Sequence, residues 1–163
     1  MARGAEERFV CDGMLGTLAK WLRILGMDTL FLRDAADEEL LRIAREEGRV
    51  LLTCDRPLAA RARKVARARR VEGRRLEEQL QEVVRAFGLR PRARRFSRCT
   101  GCNVRLERLD AETARARVPA YVARTQERFL RCPGCDRVYW SATHVAAMRR
   151  RLEVFLGGGP SRS

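Results

Sequence analysis

Three short apolar segments in the first third of the chain each end near an acidic residue and lead into a helical pattern. The segments are residues 9–11, 28–32 and 50–53, and each has the apolar content of a buried strand. Strands that alternate with helices form a parallel sheet through right-handed crossovers. The repeated pattern of strand, acid and helix therefore predicts an α/β fold with a mainly parallel sheet.

The segments between and after these strands carry apolar residues at helical spacing. In the first segment one apolar stripe runs through Met14, Leu15, Leu18, Trp21, Leu22 and Leu25, and Gly26 ends the helix. The later patterns predict an apolar helix face within residues 40–44, a third helix with Leu58, Ala62 and Val65 inside, and a last helix over residues 76–87. A short fourth strand is expected at residues 70–72.

The acidic residues that follow the strands are predicted to meet at one edge of the sheet, where parallel strands have their carboxyl ends. Crowded carboxylates repel one another, and a divalent cation such as magnesium or manganese relieves that repulsion. Such a cation activates water for phosphodiester cleavage. Alternatively, Asp12 only caps its helix, and Asp37 and Glu38 only complement a helix dipole. The predicted catalytic and metal-binding acids are Asp12, Asp37 and Asp55, with Asp34 and Glu38 in support.

Two pairs of cysteines, each with two residues between its members, predict a structural zinc site. The 29 residues between the pairs (103–131) exceed the usual interval, so an inserted loop or helix is expected there. A closed four-thiolate site supplies folding free energy to a small subdomain. Cys11 and Cys54 are interpreted as small buried residues, because a hard cation beside them prefers oxygen to sulfur. The predicted zinc ligands are Cys99, Cys102, Cys132 and Cys135.

The charge of the chain favours a nucleic-acid partner. Lysine and arginine number 35 against 21 acidic residues, which gives a formal net charge of +14. Arginines neutralise phosphates and release counterions, although a solvated basic surface is the alternative interpretation. The single histidine is either a contact to nucleic acid, a general acid or base, or a solvated residue. Proposed nucleic-acid contacts are Arg92, Arg94, Arg95, Phe96 and His144, with the basic segment 90–98 otherwise serving as a solvated hinge.

Membrane insertion is not expected from this sequence. It contains no run of about 18 apolar residues, and its first eight residues are polar. A cytoplasmic location is therefore predicted, where paired cysteines bind metal more often than they form disulfides.

The motifs in their order resemble the Mut-seven C-terminal ribonuclease domain family. The resemblance is carried by residues 12–16 running into 18–23, and by residues 26–29, 37–41, 51–56, the two cysteine pairs and 138–140. It extends over roughly residues 9–150. It implies a PIN-like three-layer nuclease fold fused to a zinc ribbon, acting as a metal-dependent ribonuclease. Asp12, Asp37 and Asp55 stand at the acidic positions of that family.

The resulting prediction divides the chain into four parts. These are a PIN-like nuclease domain at 9–89, a basic linker at 90–98, a zinc ribbon with a terminal helix at 99–156, and a disordered tail at 157–163. The predicted activity is hydrolysis of RNA phosphodiester bonds, with structured RNA or tRNA among the substrates considered. Two alternatives stay open: a non-catalytic RNA- or tRNA-binding zinc-ribbon protein, and a scaffold on which a protein partner docks.

Overall fold

The computed structural model describes residues 6–89, 95–141 and 143–156, and the chain forms two compact units, Met1–Asn103 and Val104–Ser163. The predicted linker falls partly, and the predicted tail entirely, outside the described residues, so those domain boundaries stay predictions. In the described ranges, no helix combines the length and the apolar content needed to cross a membrane.

The first unit alternates strands and helices along the chain. After β1 (Arg8–Cys11) a short 3-10 helix (Gly13–Leu15) leads into α1 (Gly16–Ile24), followed by β2 (Asp28–Phe31), α2 (Asp37–Glu47), β3 (Val50–Thr53), α3 (Arg56–Ala62), β4 (Ala68–Arg70) and α4 (Leu76–Ala86). The second unit contains β5 (Glu107–Leu109), α5 (Ala111–Arg115), α6 (Ala120–Thr125), β6 (Phe129–Arg131), β7 (Val138–Trp140) and α7 (Thr143–Phe155).

The strands of the first unit form one sheet in the order β2-β1-β3-β4, and every neighbouring pair is parallel. The predicted α/β fold with a parallel sheet is therefore confirmed. From β1 the chain crosses to β2 on one side and then returns to form β3 on the other side of β1. The strand order thus reverses between β1 and β3, and such a switch point is where open α/β sheets bind their ligands.

Helices cover both faces of this sheet, which gives three layers. On one face Val10 and Leu51 pack against apolar residues of α2 and α3. Successive strand residues point to opposite faces, so Phe9 lies on the other face. Its ring centroid is 5.3 Å from that of Phe87, and α4 on this side contacts α1. Residues 9–11 and 50–53 are buried throughout, as expected for central strands.

Three details of the predicted helices and strands are wrong. Met14 is 78% exposed because it lies in the 3-10 helix, whose three-residue turn places it outside the apolar stripe of α1. Val65 is 47% exposed because α3 ends at Ala62. The fourth strand begins two residues earlier than predicted, because its register with β3 pairs Leu51 with Ala68.

Two glycines allow the turn after β1 to approach the end of β2. A Cβ atom at Gly13 would lie 2.2 Å from the backbone oxygen of Arg33, and one at Gly16 would lie 2.8 Å from Cζ of Phe31. The Phe31 ring is the far end of a side chain and can move, whereas the Arg33 oxygen belongs to the backbone. The Asp-Gly-Met-Leu-Gly sequence therefore meets a packing requirement beside Asp12.

We expect Gly13→Ala to lower the free energy of unfolding by about 1–3 kcal/mol, because a backbone oxygen must shift to admit the methyl group. Gly16→Ala serves as the comparison and should cost less, since the Phe31 ring can turn aside. Urea unfolding followed by circular dichroism measures both. A Gly13→Ala protein as stable as the wild type would contradict the close approach of this turn to Arg33.

The second unit contains a three-stranded antiparallel sheet in the order β5-β6-β7. Residues 138–140, which contribute to the family resemblance, form β7, and two short helices, α5 and α6, occupy the long interval between the cysteine pairs, where an inserted loop or helix is expected. Ala114, Val122 and Phe129 form the buried core of this sheet and its helices. The predicted combination of a larger α/β domain and a small C-terminal sheet is thus confirmed.

Candidate active site and metal centre

Asp12 lies at the carboxyl end of β1 and is 7% exposed. Its Oδ1 accepts a hydrogen bond of 2.9 Å from the backbone N–H of Met14, so it caps the 3-10 helix. Its Oδ2 accepts a hydrogen bond from the hydroxyl of Thr53 at the end of β3. The carboxylate is therefore held in one orientation by two elements of the sheet edge.

Asp55 follows β3 and caps α3, with Oδ1 accepting a hydrogen bond of 2.6 Å from the N–H of Leu58. The N–H of Asp55 donates to the Thr53 hydroxyl at 2.9 Å. Thr53 therefore links the carboxylate of Asp12 to the backbone of Asp55, since the same hydroxyl donates to Asp12 Oδ2 and accepts from the Asp55 N–H. Asp12 and Asp55 flank the switch point between β1 and β3.

The other predicted acids lie between β2 and α2. Asp37 and Glu38 begin α2, and both bind the guanidinium of Arg61 on α3, at 2.9 and 2.7 Å. The hydrogen bond from Arg61 lowers the pKa of Glu38, and the same bond raises the pKa of Arg61. Asp34 is exposed in the preceding turn. The structure thus brings Asp37 and Glu38 to Arg61, and Asp12 and Asp55 to Thr53.

The donor atoms at Asp12 and Asp55 fit a hard divalent cation. Carboxylate and hydroxyl oxygens are the ligands magnesium and manganese prefer, and magnesium commonly uses one or two carboxylates together with waters. Each carboxylate has about four lone-pair sites, so the hydrogen bonds to Asp12 and Asp55 leave acceptor capacity. Three acids do not converge here: throughout the described part of the chain, only a group of cysteines brings three or more metal-binding side chains together.

Two residues at this edge were not singled out in the sequence. The sequence predicts Thr53 only as the end of an apolar strand, although a hydroxyl at the end of an otherwise aliphatic run (Val50–Leu52) is a usable signal. Arg61 lies 24 residues from Asp37, and no local pattern indicates their pairing. Both act on the acids through contacts between separate elements, which only the folded chain shows.

Cys11 and Cys54 flank the acids in the sequence. Cys11 is fully buried, and burial together with the neighbouring Asp12 raises the pKa of its thiol. Burial likewise raises the pKa of the half-buried Cys54, and the charges of Asp12 and Glu82 add to the rise. The full burial of Cys11 agrees with its interpretation as a small buried residue, whereas Cys54 is only half-buried.

The four cysteines of the two pairs come together as predicted. Their ligand atoms all lie within 4.8 Å of one another, with Cys99 and Cys132 buried and Cys102 and Cys135 exposed. Four thiolates at such distances suit tetrahedral zinc. The group can therefore hold a metal such as zinc.

The loop that carries the first cysteine pair is fixed to α1 and β2. Arg23 of α1 is 7% exposed, and its Nη1 donates to the backbone oxygens of Thr100 at 3.0 Å and Gly101 at 3.1 Å. The side-chain oxygen of Asn103 accepts a hydrogen bond of 3.0 Å from the N–H of Thr29. These buried contacts hold the loop in one conformation.

The predicted nucleic-acid contacts are only partly described. Arg92 and Arg94 lie outside the described residues. Arg95 and Phe96 are half-buried, and the N–H of Phe96 donates to the oxygen of Ile24 at 2.8 Å. His144 falls in the first turn of α7, and its side chain lies outside the described part of the chain. Contacts of these residues with nucleic acid stay predictions.

Comparison with known proteins gives two similarities. The Mut7-C RNase domain family matches residues 7–152. The human protein named exonuclease mut-7 homolog is 36% identical over 101 residues, a stretch that is 59% of this chain and 12% of the human protein. No solved structure matches the chain. The family is described as an RNase domain, so the match indicates a nuclease role, with RNA as the implied substrate. Because the family match covers residues 7–152, this chain belongs to the Mut7-C RNase domain family.

Proposed function

We propose that the chain is a metal-dependent ribonuclease whose active site is built on Asp12 and Asp55. The observation that carries this proposal is the Thr53 hydroxyl, which bonds both the Asp12 carboxylate and the backbone N–H of Asp55 and so ties the two acidic residues together at the switch point of the parallel sheet. In a member of an RNase domain family, an acidic pair at this position fits a cation-dependent hydrolysis. Asp37 has a supporting role, through its contact with Arg61.

The reaction proposed is hydrolysis of an RNA phosphodiester. Water attacks phosphorus, and the bond to one ribose oxygen breaks, which leaves a phosphate on one fragment and a hydroxyl on the other. A divalent cation would lower the pKa of water and stabilise charge on the leaving oxygen. Asp12 and Asp55 would hold that cation, and Thr53 keeps Asp12 oriented. Arg61 offsets the charge of Asp37 and Glu38 nearby.

Binding of RNA is assigned to the basic surface of the chain, which has a net charge of +14. The name of the human relative supports a nuclease reaction class, and this chain matches 12% of that protein. We also propose that the four-cysteine group binds one structural zinc, because its donor set suits that ion. The chain would then use two metals at separate places for separate purposes.

Cleavage of labelled single-stranded RNA and DNA tests the proposed activity. We expect RNA to be cut with manganese or magnesium, because the acids need a cation to activate water. EDTA should stop cutting, and one equivalent of zinc added after EDTA treatment should not restore it. That last sample separates loss of the catalytic cation from loss of the structural zinc.

Two outcomes would replace the proposal. Tight RNA binding without cutting under any metal condition would favour the RNA-binding alternative. Absence of both cutting and RNA affinity would favour the scaffold alternative.

A further inference from the structure

A cleft of about 330 Å³ lies beside α3 and β4, and arginine dominates its lining. This volume falls at the lower end of the range of small-ligand sites. The cleft is lined by Arg56, Ala60, Arg63, Arg69, Arg70 and Glu72, which gives four cationic groups against one anionic group.

The arginines reach the cleft from two elements. Arg56, Ala60 and Arg63 stand at i, i+4 and i+7, which places them on one face of α3 and its C-terminal cap. The small side chain of Ala60 leaves space between the two arginines. Arg69 and Arg70 end β4, which is the edge strand of the sheet.

Two of the four guanidinium groups have no acidic partner among the described residues. Arg69 is paired with Glu82 at 2.9 Å, and Arg70 with Glu72 at 2.8 Å. Arg56 and Arg63 make no ion pair or side-chain hydrogen bond within residues 6–89, 95–141 and 143–156. In addition, Nε of Arg70 is buried and finds no acceptor in the described part of the chain. The cleft therefore has more donors than these parts of the protein satisfy.

This cleft adjoins the acidic site in two ways, by adjacency in the sequence and by pairing of β4 with β3. Arg56 directly follows Asp55 in the sequence. Arg70 is the register partner of Thr53, whose hydroxyl donates to Asp12, and paired strands lie only about 4.8 Å apart. A ligand in the cleft would thus lie next to the carboxyl edge of β3.

We propose that this arginine cleft binds a phosphate group of the RNA strand and thereby positions the strand at Asp12 and Asp55. Guanidinium groups bind phosphate oxygens through paired, charge-assisted hydrogen bonds, and Arg56 and Arg63 are available for them. The proposal rests on RNA as the substrate, which is part of the proposed function. A terminal phosphate and an internal phosphodiester share this chemistry.

The double variant Arg56→Gln/Arg63→Gln tests the proposal through RNA binding alone, so the result does not depend on cleavage. The probe is a labelled 12-nucleotide single-stranded RNA, measured by fluorescence anisotropy at several salt concentrations without added magnesium or manganese. We expect Kd to rise about tenfold, and the slope of log K against log salt to flatten by about 0.7 for each phosphate that the variant no longer binds. Arg56→Lys/Arg63→Lys should restore most of the salt slope, because it keeps both charges.

The matched control is Arg115→Gln/Arg124→Gln. These arginines are exposed on the second unit and make no ion pair or hydrogen bond with other described side chains, so the control removes the same charge elsewhere. Equal losses of affinity in the two glutamine variants would overturn the proposal, because net charge alone would then explain binding. Unchanged binding by the cleft variant would also overturn it. Circular dichroism confirms that each variant is folded.

The same RNA with and without a 5′-phosphate distinguishes the two sources of the phosphate. A loss confined to the phosphorylated RNA assigns the cleft to a terminal phosphate, and an equal loss with both assigns it to an internal phosphodiester. A wild-type protein that binds as expected but does not cut would remove the proposed activity and leave the cleft in place. A protein that cuts normally with both cleft arginines replaced would remove the proposed role of the cleft and leave the proposed activity in place.

Discussion

Asp12→Asn and Asp55→Asn should each slow RNA cleavage by at least about a hundredfold, which corresponds to about 2.7 kcal/mol of activation free energy. Both changes keep the size of the side chain and an oxygen that can accept the capping hydrogen bond. They remove the negative charge that would hold a cation at the sheet edge. Rates from single-turnover cleavage, with manganese in excess, measure the effect.

Helix capping must be separated from catalysis in this experiment, since Asp12 and Asp55 both cap helices. Asp110→Asn is the matched control. Asp110 caps α5 through a 2.7 Å hydrogen bond from the N–H of Thr113, and it belongs to the second unit rather than to the sheet edge. We expect this variant to cut at nearly the wild-type rate. If Asp12→Asn and Asp55→Asn also cut at that rate, the acids are only caps.

Cys132→Ser should abolish zinc binding and unfold the small antiparallel sheet. Cys132 is one of two buried members of the four-cysteine group and immediately follows β6. Structural zinc contributes apparent binding free energy on the order of 10 kcal/mol, which a domain with so small a core cannot replace. Elemental analysis should fall from one zinc per chain to none, and thermal unfolding should lose its cooperative transition for this unit.

Cys54→Ser is the control for that change, because it removes a thiol outside the four-cysteine group. It should retain one zinc per chain. Freshly purified wild-type protein without zinc would contradict the proposed site. Equal zinc loss in Cys54→Ser and Cys132→Ser would show that general destabilisation, and not a missing ligand, explains the result.

The strands and helices of the first unit could largely be predicted because their signals are local. Val50–Thr53 is a run of strand-forming residues, and Gly48 ends α2 in the left-handed conformation with φ of 64°, which glycine adopts readily. Parallel strands then fix which residues share the carboxyl edge. Asp12 and Asp55 could be assigned to that edge from sequence for this reason alone.

The details of the site could not be predicted because they depend on contacts between distant residues. The Thr53 hydroxyl reaches Asp12 across 41 positions, and Arg61 reaches Asp37 across 24. The exposure of Met14 depends on whether the turn after β1 is a 3-10 helix, with three residues per turn, or an α-helix, with 3.6. The apolar pattern of the sequence fits both. Hydrophobic periodicity indicates which helices and strands form. Hydrogen bonds between separate elements determine how the acidic side chains at the ends of those elements are oriented and paired.

The contacts of Arg23 have a consequence for the order in which the two halves of the proposed zinc site form. They fix the loop of Cys99 and Cys102 entirely within residues 1–103, and domains fold as units while the chain leaves the ribosome. Half of the proposed zinc ligands would therefore be positioned by contacts of the first unit alone. Completion of the site then requires the 29-residue segment 103–131, which contains β5, α5, α6 and β6, to bring Cys132 and Cys135 to the first cysteine pair, and the entropic cost of such closure grows only slowly with length. An insertion in an exposed turn of that segment should accordingly add little to the entropic cost of completing the site.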